Sequence, residues 1–110
     1  MAHKQQFKSF DDMIQGSETP ILVDFYATWC GPCQVMAQVL EQVKPQVGDA
    51  ISFVKVDTEK YPNIAARWGI YAVPTLILFK DGKPVDRIEG LLHPRALLER
   101  LRAQVNLPVA

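Results

Sequence analysis

Apolar residues recur along this chain in two alternating rhythms, and the alternation predicts its elements. Ser9, with Asp12 three residues on, resembles a capping box, and Phe10, Met13 and Ile14 then share one helical face. The stretch from Gly16 to Pro20 ends that short helix. Ile21 to Tyr26 reads ILVDFY, a nearly continuous apolar run broken only by Asp24. Such a run suits a strand covered on both faces, as in a sheet sandwiched by helices. After Cys33 the apolar positions Val35, Met36, Val39, Leu40, Val43 and Val47 step at helical spacing, with Pro45 expected to bend or shorten the far end.

The second half repeats the theme. Ile51, Phe53, Val54 and Val56 make a second strand. A helix is expected over 57–67, with Pro62 in its first turn or breaking it, and Gly69 closing it. Thr75 to Phe79 is rich in strand formers, and Asp81-Gly82 signals a hairpin into a strand over 84–89. A last helix starts near Pro94 and carries Leu97, Leu98, Leu101 and Val105 on one stripe. A short strand near 3–7 is expected to precede all of these. The order predicts an α/β fold: a three-layer sandwich with a mixed central sheet and helices on both faces. Its first strand–helix–strand unit is expected to be a right-handed parallel crossover.

No repeat, low-complexity stretch or Ser/Gly linker divides the 110 residues, so one domain over 1–110 is expected. Hydrophobic residues make up 48%, enough for a core without staples. Twelve basic residues balance twelve acidic ones, which leaves no electrostatic footprint for nucleic acid or an anionic membrane surface. The start, MAHKQQFKSF, lacks the apolar core of a secretory signal, and no run approaches the roughly 20 residues that cross a bilayer. A soluble protein of a reducing compartment, the cytoplasm, is expected.

The chemistry concentrates at WCGPC, residues 29 to 33, which holds both cysteines. A closed zinc site needs four ligands, whereas His3 and His93 lie at opposite ends without ligand spacing. A structural disulfide here closes a tiny loop and constrains little of the unfolded chain. Two buried inert thiols are the bland reading, but Gly31 and Pro32 do not pack a core. A redox pair uses every residue of the stretch. At a strand-to-helix junction the first sulfur meets unpaired backbone N–H groups and the positive end of the helix dipole, which favours the nucleophilic thiolate. On this reading Cys30 is exposed, easily ionised and attacks, and Cys33, one turn later, resolves.

The stretches VDFYATWCGPC (23–33), KVDTEKYPNIAARWGI (55–70), VPTLILFKDGK (73–83) and the glycine of RIEG at 90 together resemble the thioredoxin family over essentially the whole chain. The CxxC pair of that family is the standing example of a thiol acidified at a helix start. FYATWCGPCQ and VDTEKYP are most similar to the y-type members of plastids and photosynthetic bacteria. The resemblance implies the thioredoxin fold and a protein-disulfide reductase working through a mixed disulfide on Cys30, with no bound cofactor beyond a redox-active Cys30–Cys33 disulfide. It implies a monomer, recycled by a thioredoxin reductase dependent on ferredoxin or NADPH. Protein disulfides are the implied substrates, those of peroxiredoxins and methionine sulfoxide reductases among them, and the plastid stroma is the implied location if a transit peptide has been removed. A non-catalytic interaction module and an oxidant or isomerase are the alternatives; the intact pair opposes the first and Gly-Pro the second.

Asp24 reads either as a strand-end polar residue or, given its apolar neighbours, as a buried acid with a raised pKa. The resemblance makes it the proton acceptor behind Cys33, with Lys55 as its modulating lysine; a solvated strand lysine is the alternative for Lys55. The resemblance also implies a cis Val73–Pro74 bond with the Val73 backbone facing the thiols. Trp29, Gly31, Pro32, Ala72, Val73, Pro74, Gly90 and Leu91 are then expected to form a flat apolar docking patch. Trp68 reads as core, Glu89 as a rim residue, and Arg95, Arg100 and Arg102 as the solvated face of the last helix. Three residues depart from the family pattern: Gln34 stands for a common lysine, Gln38 for a common helix proline, and Tyr71 for a basic residue. Gln34 and Tyr71 bear on partner choice.

Overall fold

A computed structural model describes residues 8–108. Helix α1 (Phe10–Gly16) starts as its cap residues dictate, with the Ser9 hydroxyl accepting from the Asp12 N–H at 3.0 Å. Strand β1 (Ile21–Tyr26) leads into α2 (Gly31–Val47). A 3-10 turn over Gly48–Ala50 then delivers the chain to β2 (Ser52–Asp57). Helix α3 (Pro62–Arg67), strands β3 (Thr75–Lys80) and β4 (Lys83–Glu89), and helix α4 (Pro94–Gln104) complete the described residues.

The four strands form one mixed sheet in the order β2-β1-β3-β4. β1 runs parallel to β2 and antiparallel to β3, and β3 is antiparallel to β4. The two-residue alternation of β1 divides its side chains between two cores. Ile21, Val23 and Phe25 join Ile77 and Phe79 under α1 and α3. Leu22 joins Leu76 and Leu78 under the α2 stripe of Met36, Val39, Leu40, Val43 and Val47 and the α4 stripe of Leu97, Leu98 and Leu101. β1 is apolar at every position but Asp24 and the Tyr26 hydroxyl because it is central and covered on both sides. Asp24 falls on the face of Leu22, toward α2 and α4. At the β3–β4 turn, Asp81 (φ 54°) and Gly82 (φ 78°) both adopt the left-handed conformation that a two-residue hairpin requires.

Several expectations need correction. The helix expected over 57–67 is confined to Pro62–Arg67, because the Asp57 carboxylate accepts from the N–H groups of Glu59 and Lys60 and holds 57–61 in a turn. Pro45 does not end α2 where it stands: the helix continues past it to Val47. Val35 is exposed, since the buried stripe runs through Cys33, Met36, Val39 and Leu40 and Val35 points away from it. Arg100 is not simply solvated: its guanidinium clasps the Asp86 carboxylate of β4 and holds that carboxyl below its usual range. Trp68 is only half-buried, packed edge-on against Phe79 with centroids 4.9 Å apart. The strand expected near 3–7 lies outside the described residues.

Candidate active site

The thiol segment sits where β1 hands over to α2. Cys30 is the N-cap residue of the 17-residue helix and takes an extended backbone conformation (φ −92°, ψ 112°). Its Sγ accepts from the Cys33 N–H at 3.1 Å, in the place a serine or aspartate oxygen fills at other helix starts. Gly31 and Pro32 occupy the first helical turn, where the missing proline N–H costs nothing. One turn of helix sets the two cysteines 5.2 Å apart at Cα, and they are joined as a disulfide.

Cys30 is not exposed as expected. Only 4% of it is accessible, and the same holds for Cys33 at 5%. Ala27 clusters with the bonded pair, and Tyr26 and Val73 pack against it. The cover is thin: Trp29 is 71% exposed, and Gly31 and Pro32 are exposed as well.

Val73 comes from the loop before β3, which meets the N-terminal end of α2. The Val73–Pro74 peptide is cis, and the Val73 carbonyl oxygen lies 3.7 Å from Cys30 Sγ. Two hydrogen bonds fix this loop. The buried Thr75 hydroxyl donates to the Ala72 carbonyl at 2.6 Å, and the Gly90 N–H donates to the Pro74 carbonyl at 2.9 Å. Gly90 adopts φ 85°, a left-handed conformation that suits glycine, at the point where β4 leaves the sheet. The structure therefore brings Ala72, Val73, Pro74 and Gly90 together through hydrogen bonds, and Val73 against the thiols. Ala72 and Leu91 are exposed and Val73 and Gly90 half-buried, but Pro74 is buried and lends backbone rather than surface to the expected patch. Thr75, which fixes the loop, was not singled out by sequence; the only signal for it was a polar residue heading an apolar strand.

Asp24 is 3% exposed, and neither carboxyl oxygen has a hydrogen-bond partner among the described residues. Burial pushes its pKa up to about 6, against the opposing pull of Lys55 and Lys44. Lys55 stands directly opposite Asp24 in the parallel ladder, yet its ammonium lies over the Tyr26 ring, 4.7 Å from the centroid. Glu89 pairs with Arg87 at 3.4 Å, on the rim. His93 caps α4 through its Nδ1, and among the described residues no three His, Cys, Asp or Glu side chains gather as a metal site would require.

A two-faced α/β sheet with a cysteine pair capping its long helix, opposite a cis-proline loop, defines a dithiol–disulfide domain. The thioredoxin family model matches residues 2–103, and the chain belongs to the thioredoxin family. It is 57% identical over 106 residues to the chloroplastic thioredoxin Y2 of Arabidopsis thaliana, an alignment covering 96% of this chain and 64% of that one. It is 52% identical to a thioredoxin-like protein of Synechocystis, covering 96% of this chain and all of that one. Among solved structures, the oxidised mitochondrial thioredoxin 3 of Saccharomyces cerevisiae superposes with a TM-score of 0.76 at 36% identity, covering 86% of each chain. The chain spans a little under two thirds of the length of the chloroplastic relatives it matches. Its kinship is with the y-type branch.

Proposed function

We propose that this protein is a thiol–disulfide oxidoreductase that reduces protein disulfides, with the thioredoxin domain spanning 1–110 as its single working unit. The observation that carries the reading is the Cys30 sulfur at the N-cap of α2, accepting the Cys33 N–H and bonded to the Cys33 sulfur. In the reduced protein that N–H and the helix dipole favour a Cys30 thiolate. The thiolate attacks one sulfur of a substrate disulfide, forming a mixed disulfide and expelling the other substrate sulfur, which takes up a proton. Cys33 gives its proton to the Asp24 carboxylate and attacks Cys30 Sγ. The second substrate thiol leaves, two electrons have passed to the substrate, and the Cys30–Cys33 disulfide is restored. Lys55 modulates the acid across the ladder.

Burial of Cys30 fits the oxidised state, in which its sulfur is the bond to be reduced. Trp29, Gly31, Pro32, Ala72, Val73, Gly90 and Leu91 surround it as the docking surface, where the Val73 backbone can pair with an extended substrate segment. Thioredoxin reductase restores the dithiol, with ferredoxin or NADPH as the ultimate donor. Kinship with the chloroplastic and cyanobacterial relatives supports the plastid stroma or the cytoplasm as location, and peroxiredoxins and methionine sulfoxide reductases as targets.

Turbidity from insulin reduction with dithiothreitol tests the activity. The protein is expected to accelerate precipitation well above background, Cys30→Ser to abolish the acceleration, and Cys33→Ser to accumulate a mixed disulfide with substrate. Background rates for the unmodified protein refute the reading.

A further inference from the structure

Asp24 is not walled in on every side. A cavity of about 60 Å³ adjoins it, lined also by Ala37, Leu40, Glu41, Lys44 and Lys55. That volume admits water, since a single molecule needs on the order of 10–15 Å³ measured this way. Along α2, Cys33, Ala37, Leu40 or Glu41, and Lys44 follow one another at spacings of three and four, so a single helical face runs from the resolving sulfur to the Lys44 ammonium. Helical side chains lean toward the N-terminus, which aims Lys44 back toward the cavity and the acid.

Lys44 is also held in place. Its Nζ donates to Glu41 at 3.0 Å and lies 5.6 Å from the centroid of the Phe53 ring, another wall of the cavity. The ionisable groups that share the cavity with Asp24 are thus Lys55 from β2 and Glu41 and Lys44 from α2, while its β3 neighbour, Leu76, brings no charge.

We infer that Lys44 is a positioning residue for the proton step, acting with Lys55 on the Asp24 carboxyl across the cavity and setting how tightly that carboxyl holds a proton. The inference deepens the reading of Asp24 as proton acceptor and rests on it for its functional meaning. Neither Trp29 nor any residue of the Val73 loop lines the cavity, so a substrate docked on those residues does not fill it. The Cys33 proton taken by Asp24 has a way out through cavity water while the mixed disulfide still stands. The positive field of Lys44 leans against burial pressure and favours the carboxylate, consistent with its downward pull on the Asp24 pKa. Lys44 was not singled out by sequence, being a polar residue near the end of an amphipathic helix. The signal was there in its spacing from Cys33.

The test is the titration of the Asp24 side-chain carboxyl by carbon NMR in the oxidised protein, where neither sulfur titrates. Lys44→Met keeps the aliphatic stem and removes the charge. Even two charges about 10 Å apart, screened as in water, change proton affinity about twofold. The Asp24 midpoint is therefore expected to rise by about 0.3 of a pH unit or more. Lys44→Arg is expected to restore it. An unmoved midpoint in Lys44→Met, or a Lys44→Arg midpoint displaced as far as that of Lys44→Met, overturns the inference: the first shows no charge effect, the second a packing effect. A separate arm reads the underlying proposal. If Asp24→Asn reduces insulin as fast as the unmodified protein, the acceptor role falls, while the carboxyl titration still decides the part assigned to Lys44.

Discussion

Replacing Asp24 by asparagine removes an ionisable group from the least hospitable place the fold offers it. Asp24 is 3% exposed, and its pKa is raised from the ordinary 3.8 to about 6. Below the lower value the carboxyl is protonated in both folded and unfolded chains, and burial of its charge costs nothing. Between the two values the unfolded chain gives up its proton while the folded chain keeps it, so stability falls as pH rises. Above about 6 the folded protein carries the full penalty. The difference of 2.2, at about 1.36 kcal/mol per pH unit, amounts to about 3 kcal/mol.

Asparagine keeps the shape without the charge. Relative to the unmodified protein, Asp24→Asn is therefore expected to gain about 3 kcal/mol of stability between about pH 3 and about pH 7.5. Any cost of an imperfectly paired amide, about 1–3 kcal/mol, is the same at both pH values and cancels in that comparison. The assay is guanidinium unfolding of both oxidised proteins at the two pH values, followed by tryptophan fluorescence and circular dichroism. All other carboxylates are common to the pair and drop out of the difference. A change smaller than about 1 kcal/mol across this window would refute the argument that burial dominates the Asp24 environment.

Two further outcomes follow from residues around the thiols. Trp29 is 71% exposed, so Trp29→Ala is expected to leave the melting temperature nearly unchanged. It should lower the efficiency of insulin reduction about tenfold while sparing a small aromatic disulfide, and an equal loss on both substrates would remove Trp29 from the docking surface. Gly90 sits at φ 85° with no atom within 4 Å of where a Cβ would stand, so Gly90→Ala meets backbone resistance but no clash. A loss of about 1–2 kcal/mol in chemical denaturation is expected, and an unchanged midpoint would show that the backbone there is free to relax.

Much of this architecture is legible because burial leaves a rhythm in the chain. Ile21 to Tyr26 announces a central strand by being apolar at nearly every step, and Leu97, Leu98, Leu101 and Val105 announce a docked helix by their spacing. Asp81-Gly82 declares its turn because few other pairs tolerate that backbone. What escapes is decided by partners remote in sequence. Part of the cover over Cys30 comes from Val73, forty-three positions on, which the WCGPC stretch by itself does not announce. The loss of the first turns of α3 depends on one Asp57 oxygen accepting two N–H groups. The Asp86–Arg100 clasp joins β4 to α4 through two residues that each look like ordinary solvated charges. The dithiol itself was plain, whereas the Thr75 hydroxyl that steadies the loop across from it was hidden in a strand.

The loop bearing Val73 is tethered at Ala72 by the Thr75 hydroxyl and at Pro74 by the Gly90 N–H, and neither tether belongs to the helix that carries the sulfurs. The sulfurs and the loop that faces them are thus anchored in separate parts of the molecule: one in α2, the other in the β3–β4 hairpin. If that loop docks substrates as proposed, substitutions at Tyr71 or Leu91 are expected to alter partner choice while leaving the Cys33 N–H contact to Cys30 intact.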